Sequence, residues 1–232
     1  MIRPGETAAD IGTDHGYVPM LLVRDRISPR VIMSDISASS LAKARETFQL
    51  AGLDAPEDWF RVGDGLATVA PGEVDVILIG GLGGHTIRKI LEEDPARTRS
   101  FKRLVLQPRK HAGALREYLW CHGYDITEEV LTREGKFICE IIAAEPSQEI
   151  IREPLYRADD IRWAYPEAFR GCDRALLQKR LDWKTESIRT EIRNLSQSRE
   201  DQRERIRKLE EELSYLLRLG GMETEGENHG EQ

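Results

Sequence analysis

The chain has 232 residues, a length that suits one substantial domain with an appendage or two small domains, and its 40% hydrophobic content supports a buried core. A formal net charge of -7 argues mildly against a nucleic-acid partner, although a chain-wide sum hides local patches. Cys121, Cys139 and Cys172 form no CxxC pair and no zinc-like cluster with the histidines, no apolar run approaches membrane-spanning length, and MIRPGETAAD lacks the apolar core of a signal peptide; the expectation is a metal-free cytoplasmic protein with reduced thiols and no membrane partner.

Over the first 145 or so residues, strand-like and helix-like segments alternate. Strands are expected at Thr7–Ile11, Val31–Asp35, Trp59–Val62, Val74–Gly80 and Leu104–Gln107. VDVILIGG is a continuous apolar run ending in glycines, as a strand buried on both faces of a parallel sheet requires. Helices are expected between them at Val18–Arg26, Ala38–Ala51, His85–Glu93 and Ala112–His122, with Ser37 as an N-cap and Gly52 as a C-terminal glycine. YDITEEVLTREGKF and FICEIIAAE then read as two antiparallel strands turning at Arg133–Lys136, with Gly135 in the turn. This α/β alternation closed by a hairpin predicts a doubly wound, mostly parallel sheet of seven strands over residues 1–148.

Beyond it, Pro146, Pro154 and Pro166 punctuate an irregular link, and residues 173–219 are charged and helical. Ile188, Ile192 and Leu195 form one apolar stripe; Ile206, Leu209, Leu213 and Leu216 form another. A single long helix in an intermolecular coiled coil would put Arg199 and Gln202 into the seam. A helical hairpin over 149–220, turning near Ser196–Asp201 with Ser198 and Asp201 as a capping box, avoids that. Residues 221–232 read as a disordered tail.

The chemistry starts at TAADIGTDHGYVP. A dinucleotide loop uses glycines to bring backbone amides to a pyrophosphate at a helix N-terminus. In DIGTDHG only Gly12 and Gly16 remain, and Asp14 would aim negative charge at that phosphate. S-adenosylmethionine reverses the sign, because it carries a sulfonium and an ammonium and no phosphate. Three further features follow successive strands. Asp35 stands where an acid holds ribose hydroxyls, Asp64 lies between Gly63 and Gly65 as if to meet an adenine edge, and the GGLGG run of Gly80–Gly84 permits close backbone approach. Any one of these also suits an ordinary strand end or turn; the four together point to S-adenosylmethionine.

These stretches resemble the bacterial tRNA (adenine(22)-N1)-methyltransferases. The resemblance rests on ADIGTDHGYVP, SDI, RVGDGL, DVILIGGLGG, LVLQP with LREYLWCHGY, and EGKFICEII, and spans roughly residues 8–142. It implies a Rossmann-like methyltransferase domain with a C-terminal coiled-coil region. It also implies S-adenosylmethionine as donor, S-adenosylhomocysteine as product, and methylation of adenine N1 in the D-arm region of tRNA. The expected cofactor set is Asp10, Gly12, Thr13, Asp14, His15, Asp35, Ile36, Asp64, Gly65 and Gly81. The sequence departs from the family in three places. Members usually carry a helix before the first strand, they have methionine where Leu82 stands, and they have Gln-Pro-Asn where this chain has Gln107, Pro108 and Arg109.

Adenine N1 has its own lone pair, so catalysis reduces to proximity and electrostatics. Asp14 is the candidate to stabilise the developing positive ring, His15 to position donor or base or simply to brace the turn, and Gln107 to read the Watson–Crick edge. Between Ala96 and Arg116 lie Arg97, Arg99, Lys102, Arg103, Arg109, Lys110 and Arg116 and no acid before Glu117, with Arg88 and Lys89 just upstream. Arg88, Arg103, Arg109, Lys110 and Arg116 are the expected contacts to tRNA phosphates, the alternative being a solvated basic face. A monomer or a weak dimer through the C-terminal helices is expected. Two other functions compete: a methyltransferase for another RNA or a small molecule, and a non-catalytic RNA-binding or dimerisation module.

Overall fold

A computed structural model of the chain describes residues 1–198 and 201–221. The chain divides into two compact units, Met1–Glu129 with Cys139–Ala164, and Val130–Ile138 with Tyr165–Gln232. The stretch 149–164, expected beyond the first domain, therefore clusters with it. The expected tail from 222 onward and Arg199 lie outside the described residues.

Apart from residues 130–138, where the last two strands meet in a hairpin that clusters with the second unit, the first unit is built on a seven-stranded sheet. Its strands are β1 (Ala8–Ile11), β2 (Val31–Asp35), β3 (Phe60–Val62), β4 (Val76–Gly80), β5 (Arg103–Gln107), β6 (Tyr124–Glu134) and β7 (Phe137–Pro146), in the order β3-β2-β1-β4-β5-β7-β6. β1 pairs in parallel with both β2 and β4, so it is an interior strand; Ala8 and Ala9 are fully buried there, as is all of Val31–Met33 of β2. β7 runs antiparallel to its neighbour β5, pairing Leu106 with Ile142. Pro146 sits at the end of β7, where a missing N–H does least damage to the ladder.

Helices α1 (Tyr17–Arg24), α2 (Ala38–Leu50), α3 (Gly84–Glu93), α4 (Pro95–Arg99), α5 (Ala112–Cys121) and the short α6 (Ile161–Ala164) complete this unit. Each long helix packs the apolar face that its spacing predicts, such as Leu41, Ala44 and Phe48 of α2 and Ile87 and Leu91 of α3. Ser37 caps α2 by accepting from the Ser40 N–H, and Gly52 ends it at φ 67°. Helix α4 escapes the sequence reading because it is one turn long; Asp94 caps it by accepting from the Arg97 N–H, and Pro95 occupies its first position.

In the second unit, α7 (Arg174–Ser196) and α8 (Arg203–Leu219) form the expected hairpin. Leu181, Ile188, Leu209 and Leu216 are buried, Arg205 pairs with Glu191 at 2.7 Å, and the Tyr215 hydroxyl donates to the Tyr165 carbonyl at 2.7 Å. The capping box does not form as expected. Helix α8 starts two residues after Asp201, whose carboxylate accepts instead from the Arg203 N–H at 3.1 Å. No helix among the described residues is long and apolar enough to cross a membrane.

Candidate active site

The functional loops gather at the carboxyl ends of β1 to β5, where open α/β sheets bind ligands. After β1 the chain stays hitched to β2, because the Gly12 and Thr13 amides donate to the Ser34 carbonyl at 2.8 and 3.0 Å. Gly16 then adopts φ 67° at the start of α1. A side chain there would put its Cβ 2.8 Å from the Cβ of Ala44, so only glycine lets α1 and α2 approach.

Asp10 ends inside the sheet, where the Thr13 hydroxyl donates to it at 2.6 Å. Burial pushes its carboxyl up to about 6; the Thr13 bond opposes the rise and the nearby charge of Asp35 adds to it. The sheet therefore holds an acid that a cationic ligand would favour in ionised form. Asp14 has the opposite character. It is exposed, the Lys43 ammonium bonds it at 2.9 Å, and His15 Nδ1 lies 2.8 Å away; the Lys43 bond chiefly holds its carboxyl below the usual range. The His15 ring stacks on Tyr17 with centroids 5.4 Å apart.

A cavity of about 710 Å³ opens beside these loops. Its wall includes Gly12, Asp35, Ile36, Asp64 and Gly65 of the expected cofactor set. Asp10, Thr13, Asp14, His15 and Gly81 do not line it and stand around the β1 and β4 loops. Asp35 accepts from the Ser37 N–H at 2.7 Å, and its carbonyl accepts from Gly63, which ties the β2 and β3 loops together. Gly65, at φ 48°, leaves open a space that a Cβ would fill 3.3 Å from Ile90 Cγ2. The size lies within the range of small-molecule sites. Carboxylates at successive strand ends and a glycine-walled slot suit a nucleoside carrying positive charge, so the residues present fit S-adenosylmethionine.

Sequence reasoning missed the outer wall: Thr86, Lys89, Ile90 and Glu93 of α3 also line the cavity. Their spacing of three, one and three places them on one helical face, a signal present in the sequence once GGLGG is taken as the turn before that helix.

Gln107 faces inward. Its Oε1 accepts from the Gly81 N–H at 2.7 Å, while its Nε2 is buried with no hydrogen-bond partner. It joins the loops after β4 and β5, so in this conformation its amide does not present a Watson–Crick reading edge. The basic run is corrected more broadly. Arg103 is buried and bonds Glu6 and Glu145 at 2.7 and 2.8 Å. Arg116 is 2% exposed, bonded to Glu129, Glu140 and the Trp163 carbonyl, so burial removes both arginines from any phosphate-facing surface. Arg97 pairs with Asp94, Arg99 donates to the carbonyls of His122, Gly123 and Ser147, and Lys102 pairs with Asp75. Arg88 is half-exposed and paired with Glu92 at 2.7 Å. Arg109 and Lys110 stay at the exposed rim, where the Arg109 amide donates to Leu82 and the Lys110 carbonyl accepts from Gly84.

Residues 1–142 match the family model described as a methyltransferase domain. A curated tRNA (adenine(22)-N(1))-methyltransferase of Bacillus subtilis is 35% identical over 144 residues, covering 62% of this chain and 60% of the relative. The chain thus spans about three-fifths of the length of the curated relatives it matches. The crystal structure of the B. subtilis M1A22 tRNA methyltransferase TrmK is 26% identical, superposes with a TM-score of 0.72, and covers 94% of this chain and 93% of its own. Streptococcus pneumoniae Sp1610, solved in complex with S-adenosyl-L-methionine, shares the fold at 23% identity and a TM-score of 0.75, with 94% of each chain covered. With its family model matched over residues 1–142, from the first residue into β7, and its loops arranged around a nucleoside-sized cavity, the chain belongs to the methyltransferase domain family.

Proposed function

We propose that this protein transfers a methyl group from S-adenosylmethionine to N1 of an adenine, position 22, in tRNA. One observation carries the cofactor reading: the cavity is walled by Asp35, Asp64 and the backbone of Gly12, Gly63 and Gly65, beside the part-buried carboxylate of Asp10. The S. pneumoniae structure of the same fold was solved with that ligand, and the 35% identical relative is named for the tRNA reaction. S-adenosylmethionine supplies a methyl group on a positively charged sulfur, ready for in-line transfer.

The chain's own residues then have distinct tasks. Asp35 would hold the ribose hydroxyls, with Ile36 against the purine, while Asp64 and Gly65 meet the purine edge. Gly12 and Thr13 offer backbone at close range, and Asp10 answers the ligand's positive charge. Asp14 and His15 stand at the open side of the β1 loop, where a carboxylate stabilises an adenine ring that becomes cationic. Gln107 acts as a positioning residue, holding Gly81 so that the acceptor side of the pocket keeps its shape. An adenine in folded tRNA has to leave its stack to reach such a pocket. Arg109 and Lys110, both exposed, would take neighbouring backbone phosphates. The enzyme would work in the cytoplasm, as a monomer or a weak dimer through α7 and α8.

The test is transfer of labelled methyl from S-adenosylmethionine to unmodified tRNA, with calorimetric titration of S-adenosylhomocysteine alongside. Binding with transfer to tRNA is expected. Binding with no transfer to any RNA would withdraw the substrate, and no binding at all would withdraw the cofactor.

A further inference from the structure

Helix α3 ends in three acids, Glu92, Glu93 and Asp94, at the end where the helix dipole is negative and acids are disfavoured. Two of them have local reasons to be there. Glu92 accepts from Arg88 at 2.7 Å, one turn earlier, and Asp94 caps α4. Glu93 has no such partner: among the described residues it makes no hydrogen bond and no ion pair. Its carboxylate instead lies over the slot at Gly65, with Oε2 3.6 Å from the point where a Cβ on that glycine would stand. It lines the same cavity as Asp64, and Ile90 of the same helix is also in the wall.

From this arrangement the geometry points to Glu93 as a specificity-determining residue that selects the 6-amino group of the cofactor's purine. The inference rests on the cofactor reading above. A carboxylate accepts hydrogen bonds and donates none, so it favours an amino group and opposes a carbonyl at the same place. Gly65 keeps that carboxylate accessible from inside the cavity, because a larger residue would fill the space between the purine slot and the α3 wall. Lys89, one turn earlier on the same wall, supplies the contrast. Glu92 also lines the cavity but is engaged by Arg88 at 2.7 Å, so with Glu93 gone the charged group of that wall not held by a neighbour is the Lys89 donor, which suits a 6-carbonyl.

Two ligands that differ at this position, and at the adjoining N1, which carries a proton in the hypoxanthine form, test the proposal: S-adenosylhomocysteine and S-inosylhomocysteine, each titrated by calorimetry into the full chain. The wild-type protein is expected to prefer the adenine form by tenfold or more. Glu93→Ala is expected to weaken the adenine form about tenfold and leave the hypoxanthine form unchanged or tighter. Glu93→Gln, whose amide can also donate, is expected to fall between. Asp35→Ala serves as the control, losing affinity for both ligands alike. An unchanged preference in Glu93→Ala overturns the assignment. So does an equal loss for both ligands, which marks Glu93 as merely structural. A wild-type protein that binds neither form sinks the cofactor reading instead, and the two failures are thereby told apart.

Discussion

Replacing Asp10 with Asn should make the protein more stable and its cofactor site worse, with the stability gain confined to neutral and alkaline pH. In the folded chain burial raises this carboxyl from 3.8 to about 6. The fold therefore binds the proton more tightly than the unfolded chain does. Its contribution to stability is complete below about pH 4 and is lost as pH rises through 6. At about 1.4 kcal/mol for each unit, a shift of roughly two units means that ionised Asp10 weakens the fold by as much as 3 kcal/mol at pH 8. Partial solvent access and the surviving Thr13 bond bring the expected gain for Asp10→Asn down to about 1–3 kcal/mol. For a chain of this size that is a rise in melting temperature on the order of 5 °C. Thermal unfolding at pH 4 and pH 8, with S-adenosylhomocysteine titrated at pH 8, checks both halves. The variant should gain at pH 8, gain nothing at pH 4, and bind the ligand at least tenfold more weakly. A variant that is less stable at pH 8, or equally stabilised at both pH values, would refute the reasoning.

Other substitutions separate structural from functional charges. Arg116→Ala should lose about 3–5 kcal/mol of stability, because it strands Glu129 and Glu140 in the interior, and chemical denaturation should show this before any RNA assay does. A stable Arg116→Ala with weakened RNA binding would restore the phosphate role. Lys110→Ala should leave stability within about 0.5 kcal/mol and reduce the salt slope of tRNA binding by about one, as for one lost phosphate contact, with an unchanged slope speaking against it. Gly16→Ala forces a Cβ to within 2.8 Å of Ala44 at a left-handed backbone angle, and should cost about 2 kcal/mol or more by thermal denaturation; a neutral result would mean that α1 shifts freely.

Local patterns made most of the α/β framework legible. The run at Val76–Gly80 could only be a strand buried on both faces, and the Ser37 cap and Gly52 stop bracket α2 as their backbone preferences demand. The turns after β1, β2, β3 and β4 were legible too, since a turn after a strand announces itself in glycines and acids. Burial of charge was not. Arg103 finds Glu6 at a sequence distance of 97 and Glu145 at 42, and Arg116 finds Glu140 at 24. Partners so far apart leave no periodicity, so a run of internal braces reads as a basic surface. The α3 wall was hidden for a different reason: Thr86, Ile90 and Glu93 are an unremarkable helical face until β3 and its Gly65 turn are laid beside it.

The most direct test of the account is mass spectrometry of one purified, unmodified tRNA carrying an adenine at position 22, before and after incubation with the protein and S-adenosylmethionine. One added methyl group per molecule is expected, recovered as 1-methyladenosine in the D-arm fragment, and none with S-adenosylmethionine alone. A methyl group on another base, or none in RNA from a protein that binds the cofactor tightly, would contradict it.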